Sequence, residues 1–387
     1  MKIIAETLMD RARLLAADIR ARGIEIDSAS KLPDDIVRQF IDLDLVSVLT
    51  PRKFGGSELG LEVACDIVRL IAAEDLGAAW VLAFYIGHNW IHCQFPEEAQ
   101  REIYANGPSP CTAGVLAPTL KLRAVEGGYR ISGRNGWNSG APHAQWIMGT
   151  GMVVEGDAPK GPPISFIVPV GDVELVDTWD MQGMRASGSW DVVYDDVFIP
   201  AHRTVSTVGL MSGDTPGAAL HANPFYRRPL TLVTFTYSLA PFVGALRGVV
   251  DEFVGTTRVR VGTNDGKAVN QKPTAHMRAG RGESNFLMAQ TLFAEMTRIA
   301  AAPESSTMSI EGRIEYKARS AGLVAFIKDA VNDLVVGSGA NAFRTENRMQ
   351  RAFRNVNMIS VHAFFDNDAS MEGYGRLLLG LEPNVAV

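Results

Sequence analysis

The sequence predicts an α+β protein in which a central β domain lies between two helical regions. In the first hundred residues, apolar side chains recur every three or four positions, beginning with Ile4 and Leu8. From about Cys111 to Pro200, the pattern changes to the alternation of apolar and charged residues that is typical of strands. The helical period returns after about residue 205, and no βαβ alternation is present. We therefore expect an N-terminal helical domain, a central β-barrel or sandwich and a C-terminal four-helix bundle, at residues 1–107, 108–205 and 206–387.

Local signals place the elements within each domain. Gly23 follows the first helical segment as its expected end, and Pro33 is expected at the first position of the second helix. In the β domain, Gly127-Gly128 predicts a hairpin turn between two alternating segments. In the C-terminal domain, a continuous apolar stripe predicts a long buried helix, and its members are Leu323, Phe326, Ile327, Ala330, Val331 and Leu334.

Composition and charge argue against several classes of protein. The net charge is −6 over 387 residues, whereas a nucleic-acid or anionic-membrane partner favours a basic surface. Three cysteines, Cys65, Cys93 and Cys111, are too few and too scattered for a disulfide framework or a zinc site. The N-terminus carries charges throughout, unlike a signal peptide, and no apolar run approaches the ~20 residues needed to span a bilayer. We therefore expect a cytoplasmic protein with neither a nucleic-acid nor a membrane partner.

Two histidines, His88 and His92, are four residues apart and share one face of a predicted helix. No glutamate lies between them and no third ligand is in view, so we expect no metal. Aromatic neighbours, Tyr85 among them, suit the wall of a pocket, and packing in the protein core is an equally open interpretation. The glycines of Gly337-Ser338-Gly339 lie inside a helical stretch, so the sequence predicts no nicotinamide or ATP site.

A first candidate ligand segment, SGRNGWNSGAPHAQW, covers residues 132–146. Its glycines let a flat ligand approach the backbone, and Trp137 offers a stacking face. Asn138 and Ser139 follow as small polar side chains. Alone, the segment is better interpreted as a β-turn with solvent-exposed polar groups.

A second candidate segment, TWDMQGMRASGSWDVVYDDVFIP, covers residues 178–200. Arg185 and Ser187 stand near two glycines, a combination suited to holding an anionic or strongly polar ligand. Because the two segments belong to the same β domain, together they indicate a ligand site more strongly than either does alone.

Three segments resemble the acyl-CoA dehydrogenase superfamily: TPRKFGGSELG, the W-x-S-G at 137–140 and GMRASGSWDVVYDDVFIP. The resemblance extends over essentially the whole chain and keeps the order of helices, barrel and helices. It implies a flavin between the β domain and the C-terminal bundle, usually in a homotetramer. It also implies that Trp137 and Ser139 lie against the isoalloxazine, with the Ser139 hydroxyl near flavin N5. Arg258 or Arg260, in TTRVRVG, occupies the region whose arginine contacts the flavin phosphate, although the phenylalanine-glycine that normally follows is missing.

The C-terminal segment NVNMISVHAFFDNDASMEGYGRLLLG distinguishes two branches of this superfamily. Dehydrogenases need a carboxylate to remove the α-proton of a thioester, and Glu372 stands in a superficially similar Met-Glu-Gly-Tyr context. However, Arg354-Asn355 takes the place of the family's Arg-Asp pair, and counting onward from it reaches His362 at the position of the base. The segment closely resembles the two-component flavin-dependent monooxygenases, which implies that His362 is the catalytic histidine. Asp366 either orients His362 or is a solvated surface residue.

The resemblance implies the oxygenase component of a two-component system. Reduced FMN or FAD arrives from a separate NAD(P)H-dependent reductase and reacts with O₂ to give a C4a-(hydro)peroxyflavin, which hydroxylates a phenolic, indolic or polycyclic aromatic substrate. Ser139 would stabilise the adduct, and His362 would manage the substrate proton. The expected pocket residues are Tyr85, His88, His92, Phe225 and Phe365. Two alternatives stay open: an acyl-CoA dehydrogenase or oxidase-type enzyme with tightly bound FAD, and a non-catalytic flavin-binding protein.

Overall fold

The computed structural model describes residues 2–156, 158–263 and 265–384. In this part of the chain, six α-helices precede the first strand: α1 (Lys2–Ala21), α2 (Gly23–Ala29), α3 (Asp34–Asp42), α4 (Leu61–Ala72), α5 (Leu76–His92) and α6 (Glu97–Ile103). Gly23 was expected to end the first helix, but it begins the short helix α2. Pro33 precedes α3 as its N-cap residue instead of occupying the first helical position. Both differences are shifts of one or two residues at helix ends, where local signals are least specific.

The middle of the chain forms one eight-stranded sheet. Its strands are β1 (Thr112–Val125), β2 (Gly128–Asn138), β3 (Trp146–Glu155), β4 (Ala158–Pro159), β5 (Ile164–Pro169), β6 (Glu174–Val176), β7 (Trp190–Pro200) and β8 (Thr204–Ser206). The strand order is β6-β7-β2-β1-β3-β5-β8, with β4 paired to β3. The predicted hairpin is present, since Val125 pairs with Gly128 across an antiparallel β1–β2 turn. β1 and β3 pair in parallel, and alternate residues of the strands bury a core of their own.

Six further α-helices follow the sheet in the described chain: α7 (Thr207–Ser212), α8 (Leu230–Val259), α9 (Pro273–Ala301), α10 (Ile310–Gly337), α11 (Arg348–Ile359) and α12 (Asn367–Leu378). The predicted apolar stripe lies on α10, where all its members except the partly buried Phe326 are buried. The helix α8 is long and apolar enough to cross a membrane, but 94% of its most apolar stretch is buried inside the protein. The predicted α+β class, with its order of helices, strands and helices, is confirmed.

The helix α5 is the element that brings the three regions together. All of its residues are buried, because it packs against α4, α8 and β1. Asp75 caps its N-terminus by accepting a hydrogen bond from the Ala78 amide at 2.9 Å. Gly87 lets α5 approach α8 closely, since a Cβ atom there would overlap the ring of Tyr237. This close packing fixes the height and rotation of the side chains that α5 directs towards the sheet.

Candidate active site

A cavity of about 570 Å³ lies where α5, the sheet and the segment between α11 and α12 meet. Its volume is in the range typical of small-molecule sites. The lining is predominantly apolar and aromatic, with a few polar groups among the larger side chains. The described residues that line it include Trp80, Phe84, His88, Leu116, Arg134, Asn135, Trp137, Ser139, Trp179, Met181, Met184, Ser187, Ser189, Met358, His362 and Phe364.

One wall of the cavity is formed by α5. Trp80, Phe84 and His88 are each four residues apart, so they project from the same helical face. The His88 Nδ1 atom lies 2.6 Å from the carbonyl oxygen of Thr112. Because a carbonyl oxygen only accepts, His88 carries its proton on Nδ1, and its Nε2 atom is a hydrogen-bond acceptor. Burial lowers the pKa of His88 to about 4, so the ring is neutral at pH 7.

A second part of the cavity lining contains His362, in the turn between α11 and α12. Its Nδ1 atom accepts a hydrogen bond from the Phe364 amide at 3.2 Å, which assigns the ring proton to Nε2. The ring packs edge-on against Trp80 and Phe364, with centroid distances of 5.4 and 4.7 Å. Burial lowers the pKa of His362 to about 4. His362 is therefore a neutral hydrogen-bond donor, whereas His88 is a neutral acceptor.

Three serine hydroxyls form a chain along the sheet side of the cavity. Ser139 Oγ lies 2.9 Å from Ser189 Oγ, which lies 2.8 Å from Ser187 Oγ. Trp80 Nε1 donates to Ser139 Oγ at 3.1 Å. An indole N–H only donates, so Trp80 occupies an acceptor position of Ser139 and leaves the serine hydrogen for another acceptor.

Hydrogen bonds from two sides fix the backbone next to Ser139. The Gly140 amide donates to the Ser187 carbonyl at 2.8 Å, and the Gly140 carbonyl accepts from the Tyr85 hydroxyl at 2.7 Å. Gly140 has a φ of +78°, and a Cβ atom there would overlap Tyr85. Tyr85 therefore positions the strand end that carries Ser139, and it lies outside the described lining of the cavity.

Trp137 and Asn138 have different roles from each other. Trp137 has a φ of +70°, a conformation that costs most residues about 1–2 kcal/mol, and its 60% exposed ring packs edge-on against Trp179 at 5.4 Å. Asn138 is buried, and it joins β2 to β7 by donating to the Trp190 carbonyl at 3.1 Å.

Asn135 lines the cavity, and its buried Nδ2 amino group has no hydrogen-bond partner among the described residues.

Four other residues expected at the site lie behind the described lining. His92 is wholly buried, and neither of its ring nitrogens has a described partner. Phe225 packs against Trp90, and Phe365 packs against Phe242 behind His362. Arg185 donates to the Asp27 carbonyl at 2.7 Å, so its guanidinium joins the sheet region to α2.

The two arginines of TTRVRVG are not among the described residues that line this cavity. Arg260 lines a separate cleft of about 430 Å³, together with Lys272 and Arg278, and donates to the Ser338 carbonyl. Arg258 lies in the last turn of α8, and its carbonyl accepts from Asn270 at 2.8 Å.

The carboxylates near His362 face away from the cavity. Glu372 is exposed on α12 and accepts a hydrogen bond from Asn384 at 2.8 Å. Asp366 caps α12 by accepting from the Ala369 amide at 3.0 Å, so it does not orient His362. No carboxylate is among the described residues that line the cavity. The base that a dehydrogenase requires is therefore missing from this lining.

Among the described residues, His88 and His92 belong to no group of three potential metal ligands that lie close together. In the described part of the chain, one cluster has three potential ligands close together: Glu98, Glu102 and His202. Glu102 is also paired with Arg203 at 2.6 Å. This cluster lies outside the cavity lining.

A flavin ring does fit the cavity. Asn135 offers an unpaired amino group, and Ser139 offers a hydroxyl hydrogen, both suited to the acceptor atoms of an isoalloxazine. Aromatic and methionine side chains provide flat apolar walls.

Comparison with known proteins identifies the family. Residues 237–367 match the family model described as Acyl-CoA dehydrogenase, C-terminal domain. The chain is 39% identical to the "Pigment production hydroxylase" of a Rhodococcus species, over 98% of both chains. It is 27% identical to the "p-hydroxyphenylacetate 3-hydroxylase, oxygenase component" of Acinetobacter baumannii, over 98% of this chain and 90% of the relative. The crystal structure of the HsaA monooxygenase from M. tuberculosis superimposes with a TM-score of 0.90 at 27% identity, covering 99% and 100% of the two chains.

The chain belongs to the two-component flavin-dependent monooxygenases that have the acyl-CoA dehydrogenase fold. It is an oxygenase component, which uses reduced flavin and works with a separate reductase. The family and class of enzyme expected from the sequence are confirmed.

The sequence interpretation missed part of the α5 wall. It singled out His88 and the neighbouring Tyr85 but did not include Trp80 and Phe84, which line the cavity. The signal was available, because Trp80, Phe84 and His88 have a regular spacing of four residues.

Proposed function

We propose that the enzyme hydroxylates a small aromatic substrate in the cavity between α5 and His362, with reduced FMN or FAD and O₂ as co-substrates. The observation that carries this proposal is the joint presence of Ser139, His88 and His362 around one apolar cavity. Reduced flavin, when bound, supplies the electrons that activate dioxygen for transfer of one oxygen atom to the aromatic ring.

The two histidines have complementary roles in this proposal. His362 presents an Nε2–H group, which donates a hydrogen bond to oxygen atoms that become negatively charged during the reaction. His88 presents an unprotonated Nε2 atom, which accepts the hydrogen of a substrate hydroxyl or N–H group. Both rings are neutral at pH 7 because burial lowers their pKa values. Neither histidine therefore has to gain or lose a proton when a neutral substrate binds.

Ser139 and the apolar walls of the cavity favour oxygen transfer over the release of peroxide. The Trp80 N–H group fixes Ser139 Oγ as an acceptor, which leaves the serine hydrogen available to the cofactor or to Ser189. Phe84, Met181 and Phe364 give the cavity apolar walls, which would exclude water once flavin and substrate fill it. Exclusion of water favours oxygen transfer over the release of peroxide.

We further propose that Arg260 holds a phosphate of the flavin. Its support is the group of basic side chains in the second cleft, where Lys272, paired with Asp265 at 2.9 Å, and Arg278, 3.8 Å from Asp333, also lie. Arg258 is the less favoured of the two, because it is not among the described residues of that cleft. FMN and FAD both provide such a phosphate.

We also propose a homotetramer in the cytoplasm. A groove on the outer face of α9, α10 and α12 exposes apolar side chains that further copies of the chain would cover, including Met288, Leu292, Phe326 and Met371. The three cysteines are free and buried, which suits a reducing compartment. Analytical ultracentrifugation tests the assembly, and a monomer at micromolar concentration would contradict it.

A single-turnover experiment tests the function. Protein is loaded anaerobically with chemically reduced FMN or FAD, mixed with oxygenated buffer and an aromatic substrate, and product is measured per flavin. His362→Ala should slow product formation by about 100-fold or more, the usual contribution of a hydrogen-bond donor directed at developing negative charge. Glu372→Gln is the matched control and should behave as wild type, because Glu372 is exposed on α12. Loss of hydroxylation in the control would contradict the roles assigned to the cavity histidines, and bleaching of bound oxidised flavin by an acyl-CoA would support the dehydrogenase alternative.

A further inference from the structure

The charges around the cavity restrict the kind of aromatic molecule that fits it. Apart from its neutral histidines, the described lining contains one ionisable side chain, Arg134. The Arg134 guanidinium is 2.7 Å from Asp191, and its side chain is half exposed. Asp191 also accepts a hydrogen bond from Thr178 at 3.0 Å. Arg134 is therefore a half-exposed lining residue whose charge is compensated by Asp191.

Neither histidine carries a positive charge that would neutralise a bound carboxylate. His88 uses its only ring proton on the Thr112 carbonyl, so it turns a lone pair towards a ligand. A substrate carboxylate beside His88 Nε2 would be repelled, because both the carboxylate oxygens and Nε2 are hydrogen-bond acceptors. His362 offers one neutral N–H donor, and its neighbours Trp80 and Phe364 are aromatic. The interior has hydrogen-bonding groups for a hydroxyl or an N–H group, but none that neutralises an anion.

We propose that this enzyme acts on uncharged aromatic compounds with a ring hydroxyl or N–H group, and that it discriminates against aromatic carboxylates. The proposal rests on the aromatic hydroxylase function above and narrows its substrate class. The relatives do not decide this point, since one of them is named for p-hydroxyphenylacetate, which carries a carboxylate. An unpaired carboxylate loses its hydration on entering an apolar cavity, and that loss is expected to weaken binding by at least about 100-fold.

The test compares ligands that differ only in charge. Binding of 4-hydroxyphenylacetate and of its amide, and of indole-3-acetate and of its amide, is measured by anaerobic calorimetry on the enzyme loaded with reduced flavin. We expect the amides to bind at least about 100-fold more tightly than the acids. Equal affinities, or tighter binding of the acids, would overturn the proposal.

A gain-of-function variant supplies the second arm. Leu116 is a partly buried lining residue, so Leu116→Arg adds a cation to the wall, and Leu116→Gln adds polarity without charge. The arginine variant should narrow the preference for the amides by about tenfold or more, whereas the glutamine variant should leave it unchanged. Equal effects of the two variants would contradict the charge argument.

The outcomes separate this proposal from the function on which it rests. If the acids bind tightly and Arg134→Gln abolishes that binding, then Arg134 serves as an anion site and the substrate class is wrong. If product forms from acids as readily as from amides, the hydroxylase function is supported and the proposed discrimination against carboxylates is wrong. If neither amides nor acids bind or react, the substrate class and the function fall together.

Discussion

Replacing Trp80 by phenylalanine removes one hydrogen-bond donor from the cavity and leaves an aromatic ring in its place. In the wild type, the Trp80 N–H group donates to Ser139 Oγ at 3.1 Å. After the substitution, Ser139 keeps its bond to Ser189 at 2.9 Å, so its hydroxyl is not left unpaired. The loss is therefore that of one neutral hydrogen bond, about 0.5–1.5 kcal/mol. At 1.4 kcal/mol per factor of ten, this corresponds to about a two- to tenfold effect.

The expected effect is on the coupling of flavin oxidation to hydroxylation. Without Trp80, the Ser139 hydroxyl is free to rotate, and its hydrogen is less often directed to the cofactor. We expect the ratio of H₂O₂ to hydroxylated product to rise by about two- to tenfold, with a similar loss of affinity for reduced flavin. The first quantity is measured by peroxide and product assays after a single turnover, and the second by anaerobic titration.

Trp90→Phe is the matched control for this experiment. Trp90 lies on the same helix, is equally buried and donates to the Phe225 carbonyl at 3.2 Å, but it does not line the cavity. Both variants should lose a similar amount of thermal stability, and only Trp80→Phe should change the coupling. If both variants change the coupling equally, or neither does, the role assigned to Trp80 is refuted.

Three further predictions concern stability and cofactor binding. Gly87→Ala should destabilise the fold by about 1–3 kcal/mol in denaturant unfolding, through overlap with Tyr237, whereas Gly255→Ala, which meets no neighbouring atom, should be neutral or stabilising. The unfolded chain binds a proton at His88 below pH 6.5 and the folded chain only near pH 4, so His88 alone should lower the unfolding free energy by about 3 kcal/mol as pH decreases through that window, and His362 should contribute a similar fall; a flat profile would contradict this. Arg260→Ala should weaken binding of FMN and FAD but not of riboflavin, as titration would show, and an equal loss for all three would contradict a phosphate contact.

The sequence was informative where a residue's role depends on its local context. Ser139 and His362 were expected at the site because the short segments that contain them resemble a known family, and both line the cavity. The alternation of strands and the stripe on α10 likewise depend on neighbouring residues alone.

The sequence was less informative where all sides of an element are buried. On α5 every residue is buried, so apolar periodicity does not show which face borders a cavity. Tyr85 is one position from Phe84, yet it bonds to the backbone of Gly140 while Phe84 lines the cavity. Asp366 is four residues from His362, but the chain turns between them, so they do not share a helical face.

The most direct test of the central claim is a single turnover with reduced flavin under ¹⁸O₂. We expect an uncharged aromatic substrate to gain one oxygen atom from ¹⁸O₂, seen by mass spectrometry, and His362→Ala to give little product while still oxidising its flavin. A product whose added oxygen comes from water, or flavin oxidation that yields only peroxide with every aromatic substrate tested, would contradict that claim.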